Sequence, residues 1–364
     1  MRILITGAAG NLGGMLARHL LTQTQHFLNL LEPISKPQMT PQRHRIPQSH
    51  RDSLVGTPSV VLWRFCGSVV WTGVLKQLLV HRAPVSEDLV VEGRTHVYRG
   101  DLADDTTLIE PCSSSDAIVH FAGVLFAPTP EKFLPITNTL YTKHLVDAAA
   151  KTGVKTVILI SFPHVEGSTS KGDPCTGRQD RQPVSVHAQT RLAAERYLVE
   201  RARETGLRAI VLRPGTIYGR DVLMVRFAKW LAERKLLGVW REPTPIHVLS
   251  IEDFNVCCRV AIERPDVQGI YPLGDDAPTT LQEFLDTVCV RWELGKPWRV
   301  PVWSVYTVAW LCETAARLFR TQTPFTIDFI RIGRVPYFCD THRMKAELLP
   351  MLQYPTLQEG LVLL

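Results

Sequence analysis

The chain has 364 residues, 45% of them hydrophobic and 21% charged, enough to bury a full core in one large or two intimate domains. Its 41 basic and 35 acidic residues leave a net charge of +6, which suits an anionic small ligand and by itself makes no case for nucleic acid. The 8 cysteines form no Cys-x-x-Cys pair, which argues against a disulfide framework or a zinc site and for reduced thiols in the cytoplasm.

In chain order, the apolar run at 2–6 reads as a buried strand, followed by a glycine-rich turn at 6–13 and an amphipathic helix at 12–22. Because that strand begins at Arg2 and runs straight into the turn, no secretory signal is expected. Gly7 permits the tight turn, Gly10 leaves room for a pyrophosphate, and Gly13 lets helix and strand pack closely. Asn11, Leu12 and Gly13 open the helix, whose free N–H groups face the same anion. A second strand at 27–31 ends in Glu32, about 20 residues past the glycines, where a carboxylate can accept both adenosine ribose hydroxyls; this favours NAD, with NADP left open by Lys36.

Residues 36–86 form an unusual insertion. A basic stretch with Lys36, Arg43, Arg45 and Arg51 precedes an apolar one from Leu54 to Val80, interrupted by Pro58, Arg64 and Lys76. An extra helix or hairpin packed on the domain is favoured over a membrane-surface or partner-docking element. Further strands are expected at 116–121, 155–160 and 208–212, and helices at 137–152 and 188–205. This alternation predicts an α/β fold: a Rossmann-type doubly wound parallel sheet spanning 1–215. Residues 216–364 are expected to form mainly a smaller, mostly helical C-terminal substrate domain, with 246–262 returning to the first domain. Within it, 301–319 reads as a core or interface helix rather than a membrane anchor, since Glu313 and Arg317 interrupt it.

Six segments in a fixed order carry a resemblance to a known family. These are the glycine turn, Gly100-Asp101-Leu102, His120-Phe121-Ala122-Gly123, Asn138, Arg213-Pro214-Gly215-Thr216-Ile217-Tyr218-Gly219, and the pair Ile246-His247-Val248 with Asp253 and Tyr271 to Asp275. Together they resemble the extended short-chain dehydrogenase/reductases, the NAD-dependent epimerase/dehydratase group. The resemblance implies that Asp101 and Leu102 meet the adenine and that Phe121, Ala122 and Gly123 line the cofactor. It places Asn138 and Pro214 in the same binding site. Taken singly, Asp101 could instead be a turn residue and His120 a satisfied core histidine.

The family's catalytic pattern is altered in this chain. Where the family has Tyr-x-x-x-Lys on one helix face, this sequence has His187 and Arg191. The usual Ser/Thr position falls on Phe162, with Ser161 one residue earlier. Arg191 keeps the cation and can grip ribose hydroxyls, a neutral His187 could act as base, and Ser161 or His164 could hold the substrate oxygen. The alternative is a catalytically inactive dinucleotide-binding scaffold, sensor or assembly protein. For the enzyme reading, a sugar nucleotide, a sterol-like compound or another alcohol or ketone is the substrate class. Arg220, Arg226, Arg241 and Arg299 are candidate phosphate clamps, and Trp240, Trp298, Trp303 and Trp310 candidate lining residues. No nucleic-acid partner and no bound metal are expected. A homodimer is left open, as is membrane-surface contact through 54–80 or 301–319, which is not favoured.

Overall fold

The computed structural model describes residues 1–8, 10–33, 85–123, 129–319, 323 and 325–364. All but the last two residues of the 36–86 insertion, Lys36 included, lie outside the described residues, as do the side chains of 31–33.

Seven parallel strands form the central sheet: β1 (Arg2–Thr6), β2 (Phe27–Pro33), β3 (Thr95–Gly100), β4 (Ala117–His120), β5 (Thr156–Ile160), β6 (Arg208–Pro214) and β11 (Gly269–Leu273). Their order is β11-β6-β5-β4-β1-β2-β3. The central strands β1, β4 and β5 are mostly apolar and, apart from exposed Arg2, buried on both faces, as expected where helices cover each side. Six further short strands pair two by two: β7 (Thr216–Tyr218) with β10 (Val248–Ser250), β8 (Gly238–Trp240) with β13 (Trp298–Val300), and β9 (Pro245–Ile246) with β12 (Thr279–Thr280).

The helices are α1 (Asn11–Gln23), α2 (Ile109–Ser113), α3 (Pro130–Leu134), α4 (Tyr141–Thr152), α5 (Val186–Thr205), α6 (Leu223–Glu233), α7 (Ile251–Glu263), α8 (Leu281–Arg291), α9 (Val302–Leu318), α10 (Ile327–Gly333), α11 (His342–Glu347) and α12 (Leu357–Gly360). A π-helical turn, Pro135–Leu140, joins α3 to α4. The hydrophobic core on one side of the sheet contains α1 and α7, and that on the other contains α4 and α5.

The strand order reverses between β1 and β4, and their carboxyl ends, Thr6 and His120, pair in register. In a doubly wound sheet, the crevice beyond those ends is where ligands bind. The segments after β1, β4, β5 and β6 all open there. In the sequence after 216, α7 packs on α1, β5 and β6, and β11 extends the sheet beside β6.

Candidate functional site

The glycine turn closes through a hydrogen bond from Gly10 N–H to Gly7 C=O (2.8 Å). Gly7 sits at φ +79°, a left-handed conformation open to glycine, and a Cβ there would lie 3.0 Å from the Ala122 nitrogen. A Cβ on Gly13 would come within 2.4 Å of the Gly7 carbonyl oxygen. The chain therefore passes so close to itself that Phe121 and Ala122 form one wall of the turn. No side chain caps the start of α1, and its first turn carries no acid, leaving the first N–H groups and the positive helix end for an anion. Leu12 packs on the core below. The Asn11 side chain is committed elsewhere: its amide donates to Asp221 C=O and accepts from Leu223 N–H (2.8 Å each), tying α1 to the start of α6.

His120 is a tension member between three elements. Thr142 spends its hydroxyl proton on Asn138 C=O, so His120 Nε2 must donate to Thr142, and Nδ1 accepts from Thr6 Oγ1 at 2.6 Å. Burial, assisted by nearby Arg191, pulls the imidazole pKa down to about 3 and keeps it neutral. The backbone of Asn138 lies within the π-helical turn, a distortion often found at functional sites, and its side chain is fully buried.

Arg191 reaches across from α5 to the wall after β4. A Cβ on Gly123 would meet Arg191 Nη2 at 2.3 Å and Asn138 Oδ1 at 3.4 Å, so the guanidinium fills the space that glycine leaves, with the Asn138 amide beside it. Arg191 Nε and Nη1 are buried without a hydrogen-bond partner in the protein. Burial lowers its pKa to about 10, opposed by Glu195 one turn on, so it stays charged at neutral pH.

At the end of β5, Ser161 N–H donates to Leu212 C=O (2.7 Å), while Ser161 Oγ is buried without a partner. The next residue, Phe162, lies with its ring 4.8 Å from that of His187 and 5.6 Å from that of His164. His187 is buried at the first turn of α5, where its N–H and that of Val186 donate to the Asp328 carboxylate of α10. His164 packs on Tyr337, and burial depresses its pKa to about 4.

Other singled-out residues do different work. The Asp101 carboxylate accepts Ala103 N–H, and the Leu102 carbonyl accepts from His144 Nδ1. Glu32 stands opposite Arg99 at the end of β2. Pro214 ends β6 beside the crevice, but Arg213 turns away beneath it. Arg213 is fully buried between Glu166 and Glu195, and Glu166 also accepts from Cys175, Gly177 and Arg178. The sequence reading did not anticipate this ionic floor, since residues 166, 195 and 213 are joined only by the fold. Arg299 is held by Asp286 (2.8 Å) and Trp240 is core, whereas Trp298, Trp303 and Trp310 are exposed. The polar loop after Gly167 is pinned through Thr169 to Pro336 and Phe338.

A parallel doubly wound sheet with an uncapped glycine turn at its switch point defines a nucleotide-cofactor protein class. The chain belongs to the NAD dependent epimerase/dehydratase family, whose model matches residues 3–244. It is 28% identical over 217 residues to UDP-glucose 4-epimerase of Vibrio cholerae, covering 56% of this chain and 65% of the relative. It is 27% identical over 313 residues to dTDP-glucose 4,6-dehydratase of Streptomyces antibioticus, covering 82% and 80%. The chain thus spans just under two thirds of the epimerase's length. Among solved structures, DesIV of Streptomyces venezuelae, a dTDP-glucose 4,6-dehydratase with NAD and TYD bound, superposes with a TM-score of 0.69 over 99% of this chain and 94% of that one. At 17% identity, that likeness speaks to the fold. Among the described residues, no cluster of His, Cys, Asp or Glu is placed to hold a metal, and no helix is long and apolar enough to cross a membrane.

Proposed function

We propose that the protein holds NAD in the crevice beyond β1 and β4 and uses it to oxidise, and then re-reduce, a carbinol carbon of a sugar-nucleotide substrate. The observation that carries this reading is Arg191: a buried cation against Gly123 and Asn138, with two guanidinium nitrogens unpartnered in the protein. Buried donors are ordinarily satisfied, so such a group fits ribose hydroxyls placed over Gly123. The start of α1 fits the pyrophosphate.

Bound NAD supplies the hydride acceptor and donor. The His187 imidazole would take the carbinol hydroxyl proton and return it to the product oxygen. Ser161 Oγ, buried without a protein partner, donates to the substrate oxygen.

A second reading has its own observation. Phe162 fills the family's hydroxyl-donor position and packs on His187, which suits a protein that keeps NAD without turnover. One experiment separates the two. Purified protein is assayed for bound nucleotide, then mixed with UDP-glucose, UDP-glucuronate or dTDP-glucose while NADH absorbance and sugar products are followed. Turnover abolished by His187→Asn, with NAD retained, is the expected result. Tight NAD binding without product for any of these substrates moves the assignment to the second reading. Failure to bind NAD overturns both.

A further inference from the structure

The helix α6 has no cap of its own. Val222 precedes its first turn without a capping side chain, and that turn carries no acid. The Leu223 N–H is met instead from another helix, by Asn11 Oδ1 of α1 at 2.8 Å. The other end of the same amide, Nδ2, donates to Asp221 C=O, also at 2.8 Å. Asp221 lies at φ +66°, a left-handed backbone that a residue other than glycine keeps only where its surroundings impose it. Asn11 therefore grips the turn at its strained residue. Loss of that grip lets the turn relax and gives up the first N–H of α6 to water.

Asn11 is also the first residue of α1, so its backbone N–H is one of the uncapped groups that fit a pyrophosphate. From α6 the contacts continue. Leu223, Met224 and Phe227 form a small half-buried cluster with Phe329 of α10. The residue before Phe329 is Asp328, whose carboxylate accepts from Val186 and His187 N–H at the start of α5 (3.2 and 3.3 Å). The series runs from the glycine turn to the helix that carries His187 and Arg191, and the Asn11 amide is a hydrogen-bonded link by which α1 enters it.

We infer that Asn11 is a positioning residue: through its amide, filling of the glycine turn sets α6 and, by way of Phe329 and Asp328, the first turn of α5. An anion held by the N–H groups of α1 fixes the Asn11 backbone, and the fixed amide keeps the 221–223 turn in its strained form. The far side of the crevice is then set only when the glycine turn is occupied. The inference rests on the proposed binding of NAD and not on turnover.

Amide hydrogen exchange of the full chain tests it, read residue by residue without NAD and with NAD at a level that saturates each variant. In wild type, NAD slows exchange at Leu223, Arg226 and Phe227, and at Val186 and His187, by about fivefold or more. Asn11→Ala keeps the NAD-dependent protection of α1 and loses it at these five amides. Leu223→Pro removes the N–H that Asn11 meets, leaves the glycine turn untouched, and gives the same loss at Arg226 and Phe227. Proline suits the first helical position, and Val222 already has the extended backbone (φ −59°, ψ 124°) that a following proline requires. The melting temperature reports that each variant is folded, and either variant alone suffices if the other is not. NAD that binds wild type without slowing α6 exchange overturns the inference and leaves the proposed function standing. Protection of α6 that survives both substitutions also overturns it, and protection lost at α6 but kept at Val186 and His187 overturns the arm to α5. Absence of NAD binding overturns this inference and the proposed function together.

Discussion

At Gly123 a single added carbon reaches straight into the candidate site. Gly123→Ala puts a methyl 2.3 Å from Arg191 Nη2, and the guanidinium must leave the cradle it shares with Asn138. The expected cost is about 1–3 kcal/mol of stability. NAD affinity should fall about tenfold or more, as it should for Arg191→Met, which removes charge-assisted hydrogen bonds of about 1.5–3 kcal/mol. Calorimetric titration with NAD checks both, and undiminished affinity in Arg191→Met removes Arg191 from the site. Arg213→Met makes a different prediction, because it strands buried Glu195 and leaves Glu166 with Arg178 as its remaining cation. A loss of about 3–5 kcal/mol is expected in urea unfolding, with little effect if the floor were solvated. At this scale the glycines were legible, since backbone geometry follows from residue type alone. Where a polar side chain points was not. Asp101 and His120 could each have been ligand contacts or internal bonds, and the fold commits them to a turn amide and to two threonines.

Among the elements, α1 and α6 are held together by one side chain. Asn11→Ala deletes both of its bonds to the 221–223 backbone, and about 1 kcal/mol is expected from these partly exposed interactions. Hydrogen exchange should show the Leu223 amide losing protection while the β1 amides keep theirs; equal loss at both would mean that the whole domain had loosened. The elements that the sequence disclosed are those with strong periodicity: β1, β2, β4, β5, β6 and the helices α1, α4 and α5. Two strands of the central sheet stayed hidden. The edge strand β3, Thr-His-Val-Tyr-Arg-Gly, mixes polar with apolar side chains, and β11 carries Pro272, which a sheet's outermost strand tolerates because its far side has no ladder. The apolar run at 301–319 does form a helix. Its composition suggested a core or interface role, but only its Ala309, Glu313 and Ala316 side is buried.

For the molecule as a whole, buried histidines set the acid limit. Burial lowers the pKa of His120 to about 3 and those of His164 and His247 to about 4, against 6.5 for the free side chain. The unfolded chain therefore binds more protons below pH 6.5, so their contribution is full above that pH and is lost as pH falls toward 4. Asp275 acts in the opposite sense. Burial raises its pKa to about 8, so it folds protonated, and its contribution declines as pH rises from about 4 to 8. Three groups against one leave acid destabilisation dominant between pH 6.5 and 4, at about 1.4 kcal/mol per pH unit for each net proton. Urea midpoints measured across pH 4–8 should fall on the acid side, and Asp275→Asn should flatten the alkaline side. A midpoint unchanged between pH 6.5 and 4.5 would contradict the burial of these imidazoles.

The sequence by itself determined the parallel doubly wound sheet, the glycine turn at its switch point and the family to which the chain belongs. Periodicity, glycine placement and the order of short motifs are local properties, and they survive the replacement of single residues. Only the tertiary structure decided which side chains meet. It set Arg191 against Gly123 and Asn138, laid Phe162 on His187, sank Arg213 between two glutamates and left the tryptophans of α9 facing outward. Those contacts join residues far apart in the chain, and whether a polar atom is satisfied or left for a ligand depends on every element that packs around it.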